Sequence, residues 1–97
     1  MITEHALLSV TPGREEEFES AFRTARPIIA SMPGFVGLSL LRGIESVSTY
    51  LLLVDWQSVE HHEVGFRQSP RYQEWRAQLH RFYEPMPVVE HFMQLSI

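Results

Sequence analysis

The run from Val47 to Trp56 limits the fold more than any other part of the chain. Tyr50, Leu52, Val54 and Trp56 fall on one side of an extended strand, and Val47, Thr49, Leu51 and Leu53 on the other. Side chains alternate across a strand, so both faces are apolar. A sheet open to water on one side shows polar residues there. This strand therefore belongs in a sheet covered on both faces.

The remaining segments supply one cover. Residues 2–10 alternate as a strand, with Ile2, Ala6, Leu8 and Val10 on a face expected to be fully apolar. Thr11-Pro12-Gly13 ends it. Glu15, Glu16 and Glu17 suit the positive end of a helix dipole, and Phe18, Ala21, Phe22 and Ala25 follow at amphipathic spacing. Pro27 lacks an N–H and should end or kink this helix near Arg26. Met32-Pro33-Gly34 breaks the chain, and Phe35–Arg42 reads as a strand. A loop at Gly43-Ile44-Glu45-Ser46 leads to the return strand, Val47–Trp56.

Ser58 caps a predicted helix from Val59 to Phe66. Ser69, with Pro70 at the first helical position, caps the next. That second helix carries a stripe of Tyr72, Trp75, Leu79 and Phe82. Pro85-Met86-Pro87 interrupts again, and Val88–Leu95 alternates as a last strand. The order β-α-β-β-α-β defines a ferredoxin-like α+β fold, an antiparallel sheet with helices on one face. The second cover is expected to be another copy of the sheet, giving a homodimer through sheet-to-sheet packing with a two-fold, self-complementary interface.

Composition excludes several classes. The 97 residues make a single domain. A net charge of −4 offers no basic surface for nucleic acid. With no cysteine, disulfides, thiolate nucleophiles and iron–sulfur clusters are ruled out. The N-terminus shows no signal peptide, and the apolar runs of about five residues fall short of a membrane span. A cytoplasmic location is expected. His61-His62 with Glu60 or Glu63 lacks the i, i+4 pair of a helical metal site, so no metal is expected.

The chemistry-bearing residues cluster after the central strand. Trp56, His61, His62, Phe66, Tyr72 and Trp75 follow in close succession. The two histidines point about 100° apart on a helix; His62 is the one expected to face inward, because Phe66 lies four residues on. His62 could accept a proton near neutral pH, and Tyr72 could hydrogen-bond a phenol or quinone oxygen. Trp56, Phe66 and Trp75 could sandwich an aromatic ring. Each also fits a plain core role. His5 and His91 are read as structural residues that meet across neighbouring strands near the dimer interface. Arg67 and Arg71, at i, i+4, could attract an acidic ligand or form a solvated face.

The order and spacing of several motifs resemble the antibiotic biosynthesis monooxygenase (ABM) family. They are Thr11-Pro12-Gly13, Met32-Pro33-Gly34-Phe35, Asp55-Trp56-Gln57-Ser58, Phe66-Arg67-Gln68-Ser69-Pro70 and Val89-Glu90-His91-Phe92. The resemblance covers nearly the whole chain. It implies a dimeric α+β barrel with a pocket between helices and sheet, near Trp56, Phe66, Tyr72, Trp75, Phe22 and the Ala6–Leu8 face. It also implies cofactor-independent oxygenation of a small phenol, quinol or polyketide-like aromatic, with His62 and Tyr72 as the chemical actors and no cofactor. A non-catalytic small-molecule-binding or stress-response module is the alternative on the same fold. Many quinol-oxidising relatives carry histidine where this chain has Phe66, and often another at Arg71. Haem-degrading relatives place their iron ligand where this chain has Arg76, an asparagine near Ala6 and a tryptophan near Phe66. Arginine offers iron no lone pair, so haem degradation is disfavoured.

Overall fold

The return strand lies inside the sheet, with a neighbour on each side. A computed structural model, describing residues 1–97, places strand β3 (Thr49–Trp56) between β2 (Phe35–Arg42) and β1 (Ile2–Ser9). Strand β4 (Val89–Phe92) completes an antiparallel sheet in the order β2-β3-β1-β4. Helices α1 (Glu15–Ala30) and α2 (Pro70–Leu79) pack on one face. Between β3 and α2 lies a short π-helix (His61–Phe66), and a 3-10 turn (His80–Phe82) follows α2. This is the ferredoxin-like α+β plan.

The side chains sort as the alternation requires. Tyr50, Leu52, Val54 and Trp56 face the helices, none more than 5% exposed. Phe18 of α1 sits at the middle of this layer, in edge contact with Tyr50 and Phe82. Glu15 and Glu19 tie α1 to the sheet by accepting from the Ser48 and Tyr50 hydroxyls. On the other face, Leu7, Leu51 and Leu41 form a row across three strands. Leu7 and Leu41 are about half exposed there, and Leu51 is half-buried.

Three expectations change. Helix α1 does not stop near Arg26 but continues through Pro27 to Ala30. Pro27 and Arg23 are both exposed, so the carbonyl left without a donor can face water, and burial of Ile29 holds the last turn in place. The last strand is shorter than Val88–Leu95 and ends at Phe92. The segment Val59–Phe66 closes as a π-helix over His61–Phe66, with Arg67 N–H donating to the His62 carbonyl at 2.9 Å. Such turns are rare and concentrate at functional sites. Ser58 and Ser69 do cap their helices: Ser58 Oγ accepts from His61 N–H at 3.2 Å, and Ser69 Oγ from Tyr72 N–H at 3.3 Å.

The π-helix is seated on a glycine. Gly34 has φ of +83°, and a Cβ there would fall inside the His61 ring. Gly34→Ala combines left-handed strain with this overlap. It should lower unfolding free energy by about 2 kcal/mol or more in urea titrations, with the loss of the His61 seat visible as changed chemical shifts across His61–Phe66.

Candidate functional site

Residue Glu4 changes the reading of the first strand. The face expected to be fully apolar carries this carboxyl at its centre, 6% exposed. It stands in the helix-facing series with Ile2, Ala6 and Leu8, beneath the π-helix. The Trp56 indole N–H donates to Glu4 Oε1 at 2.9 Å, and His62 Nε2 lies 3.2 Å from the same oxygen. His62 Nδ1 meets His91 Nε2 at 2.9 Å. His91 Nδ1 then lies 4.0 Å from Oε1 of Glu63, which is on the surface.

Register explains the assembly. Glu4 pairs with His91 across β1 and β4, while His5 pairs with Glu90. Directly opposed residues project to the same face, so His91 points with Glu4 toward the helices. His5 points to the open face and packs edge-on against Phe92 at 5.5 Å. The expected meeting of His5 and His91 therefore does not occur.

Burial sets the charge state. Desolvation, the largest influence, raises the Glu4 carboxyl from 4.5 to about 7, against the indole hydrogen bond and Arg67, which lower it. Desolvation also lowers the His62 imidazole from 6.5 to about 4, helped by His91 and Arg67. The Glu4–His62 contact has the geometry of an ion pair, but below about pH 7 burial favours the proton on the carboxyl, with the imidazole neutral. Burying two charges is costly, and neutralisation avoids it.

Glu4 and His62 form part of the wall of a cavity of about 320 Å³ between the sheet and the helices. Ala6, Leu8 and Leu52 line its sheet side; Phe66, Tyr72 and Trp75 line its helical side. Tyr83, His80, Met86 and Arg67 also reach it. Burial raises the Tyr83 hydroxyl and lowers the His80 imidazole, so uncharged polar groups and a single cation, Arg67, border an apolar chamber.

Of the residues singled out from sequence, His62, Tyr72, Ala6, Leu8, Phe66 and Trp75 line this cavity together. Two do not. Trp56 is fully buried, stacked on His62 at 5.5 Å, and acts through its bond to Glu4. Phe22 packs edge-on against Trp75 and instead borders a wider depression, about 450 Å³, between α1 and β2. That depression is rimmed by Glu19, Arg23, Arg26 and Arg42. Its acid is already engaged by Tyr50, Arg23 and Arg42, and it lacks a buried base, so the smaller cavity is the better candidate site. His61 stays at the surface side, with Nδ1 2.8 Å from Ser58 Oγ. Arg71 pairs with Glu74 at 3.1 Å and takes no part. Glu4 was missed as a site residue; its signal was one carboxyl in an otherwise apolar i, i+2 series. Arg67, read as a possible anion contact or a solvated residue, borders the cavity.

An antiparallel sheet with two covering helices, and a chamber between them floored by an acid and an imidazole, defines a small α+β domain with one candidate ligand chamber. The profile of the antibiotic biosynthesis monooxygenase family matches residues 1–78, and the chain belongs to that family. It is 52% identical over 95 residues to the uncharacterized protein YczJ of Bacillus subtilis (strain 168), covering 98% of this chain and 100% of that one. A Bordetella bronchiseptica protein named for the same family superimposes with a TM-score of 0.94 at 40% identity, over 98% of this chain and 97% of that chain. SnoaB, a cofactor-independent oxygenase from Streptomyces nogalater, has the same fold: its TM-score is 0.84 at 22% identity, over 99% and 94% of the two chains.

The two shifted groups oppose one another in folding. Between pH 4.5 and about 7 the unfolded chain has lost the Glu4 proton that the folded chain keeps, so stability falls as pH rises. Between 6.5 and about 4 the unfolded chain holds a His62 proton that the folded chain lacks, so stability falls as pH drops. In their shared range the two slopes cancel. Glu4→Gln removes one of them. Its stability relative to the native chain should grow as pH rises from 4.5 to about 7. The growth should be on the order of 3 kcal/mol in denaturant titrations. A gap independent of pH would show that the carboxyl is not held protonated.

Proposed function

We propose that the protein is a cofactor-independent monooxygenase acting on a small phenolic or quinol-type aromatic, with Glu4 as the proton acceptor. One observation carries this reading: a carboxyl that ionises near neutrality lies in the wall of an aromatic-lined chamber. A general base works best when its pKa lies near the working pH. Family membership supports the class of activity. The volume of about 320 Å³ is at the low end of ligand cavities and favours one- or two-ring substrates over larger polyketides.

The chemistry needs little from the protein. The Glu4 carboxylate takes a proton from the substrate's acidic C–H or O–H, leaving a resonance-stabilised anion. Arg67 at the chamber's edge stabilises that negative charge, and Tyr72 donates to a ring oxygen. The anion gives one electron to dioxygen, and the radical pair combines to form the carbon–oxygen bond. Return of the proton gives a hydroperoxide. For an activated methylene, loss of water leaves a carbonyl, so CH2 and O2 become C=O and H2O, with the substrate supplying the electrons. His62 is neutral and engaged at both ring nitrogens. It serves as Glu4's polar neighbour, 3.2 Å from the carboxyl, rather than as the first acceptor. Phe66 and Trp75 exclude water and orient the ring.

Oxygen uptake with a panel of one- and two-ring phenols and quinols tests this. The native chain should consume oxygen faster than buffer, and Glu4→Gln should lose a factor of about 10²–10⁴ in kcat/KM. The Gln variant should still show a ligand-induced rise in melting temperature. If no substrate is consumed while ligands still raise the melting temperature, the domain is a binding module.

The same proposal includes a homodimer through the open sheet face. That face carries the Leu7–Leu51–Leu41 row and Phe92. It also holds His5 Nδ1, a buried polar atom without a partner within the chain. Such a surface needs a cover. Sedimentation should give twice the mass of the chain. Leu51→Glu should shift the protein to monomer, because the new charge would be desolvated against its own symmetry mate.

A further inference from the structure

We propose that His62 and His91 form a proton path that lets the buried Glu4 carboxyl exchange its proton with solvent while the chamber is occupied. This rests on the reading of Glu4 as the acceptor. Glu4 lines the cavity, and a bound aromatic would fill it and bar water from that side. The catalytic cycle then needs another way to restore the carboxyl's protonation state whenever substrate enters in the wrong one.

The hydrogen-bond chain permits two arrangements. When Glu4 is protonated, its O–H donates to His62 Nε2, and His62 Nδ1–H donates to His91 Nε2. His91 then carries its own proton on Nδ1, toward Glu63 and the surface. When Glu4 is ionised, every donor reverses: His91 Nε2–H donates to His62 Nδ1, and His62 Nε2–H donates to Glu4. The His62–His91 hydrogen bond of 2.9 Å accommodates either direction, and His62 Nε2 stands within ion-pair distance of Glu4 Oε1, at 3.2 Å. The Trp56 N–H bond to Glu4 is common to both.

Conversion moves one net proton. Glu4 passes a proton to His62 Nε2, His62 passes its Nδ1 proton to His91 Nε2, and His91 releases its Nδ1 proton outward. No imidazolium need persist in the interior. The His91 ring is 17% exposed and the Glu63 carboxylate 54%, so the outer end reaches water. His91 touches no substrate in this scheme; it is a positioning residue that acts through His62.

Other groups face this chain and bias it. Arg67, from the turn after the π-helix, favours ionised Glu4 and disfavours any charge on His62. Tyr83, beyond α2, senses Glu4. His80 and Tyr72 border the same chamber, and Glu63 would attract a proton emerging on His91.

Ring tautomers report the path without any substrate. Long-range proton–nitrogen correlation spectra of 15N-labelled protein should be followed from about pH 5 to about pH 9. The His62 ring should switch from Nδ1–H to Nε2–H as Glu4 ionises, with a midpoint near 7. In Glu4→Gln that switch should vanish. In His91→Gln, which keeps a polar side chain but cannot relay, exchange of the His62 ring proton with water should slow by about tenfold or more. A His62 tautomer that does not follow Glu4, or exchange unaltered in His91→Gln, would overturn the proposal. The native titration alone decides the matter if a variant does not fold. That switch in a protein that oxidises no quinol would leave the path standing and remove the oxygenase reading.

Discussion

A carboxyl group in the middle of β1 has been withdrawn from water, and its neighbours are arranged around that fact. Its desolvation is met by an indole N–H from β3, an imidazole from the π-helix and a second imidazole from β4 behind the first. Groups from β3 and the π-helix therefore converge on one oxygen of β1, with β4 backing the second of them. An isolated carboxylate in such a place would be untenable. Taking up a proton below about pH 7 relieves the cost of burial, and it also leaves the group ready to release and regain that proton near neutrality. The stability cost and the chemical readiness are two consequences of the same desolvation.

The π-helix is what lets these partners meet. Its wide turn, closed by the His62 carbonyl and Arg67 N–H, keeps both His62 and Phe66 buried against the sheet. One of them reaches Glu4 and the other the cavity wall. Gly34 makes the seat by admitting the His61 ring where any side chain would collide. The Met32-Pro33-Gly34 break thus has a role beyond ending a helix: it sets the height at which His62 approaches the carboxyl.

Much of this was legible in the residues and some was not. The two apolar faces of Tyr50–Trp56, the serine caps and the order of elements were sufficient for the fold, because each depends on local periodicity. Pro27 misled because a proline's missing bond matters less when the freed carbonyl faces water. Glu4 was hidden by averaging: three apolar neighbours at alternate positions gave its face the character of core. His91 was assigned the wrong neighbour because register between β1 and β4 is not a local property. One position decides whether a histidine on β4 opposes His5 or Glu4. The π-turn has no simple period, so Val59–Phe66 read as an ordinary helix.

Strand β1 couples the two faces of the sheet. Glu4 faces the chamber and His5 the open face, one residue apart. Thr3 donates to Asp55 at 2.7 Å on the open side, and in the next residue pair Glu4 lies opposite Val54. Because the alternation is rigid, whatever fixes the open face fixes the height and rotation of Glu4. In the proposed dimer, packing on Leu7, Leu51 and His5 would therefore hold the carboxyl against His62 from behind. A slip of β1 by one residue would place His5 under the π-helix and Glu4 among the interface leucines, and both the site and the interface would be lost together. Assembly and site are then linked by strand register alone, with no side chain reaching from one to the other.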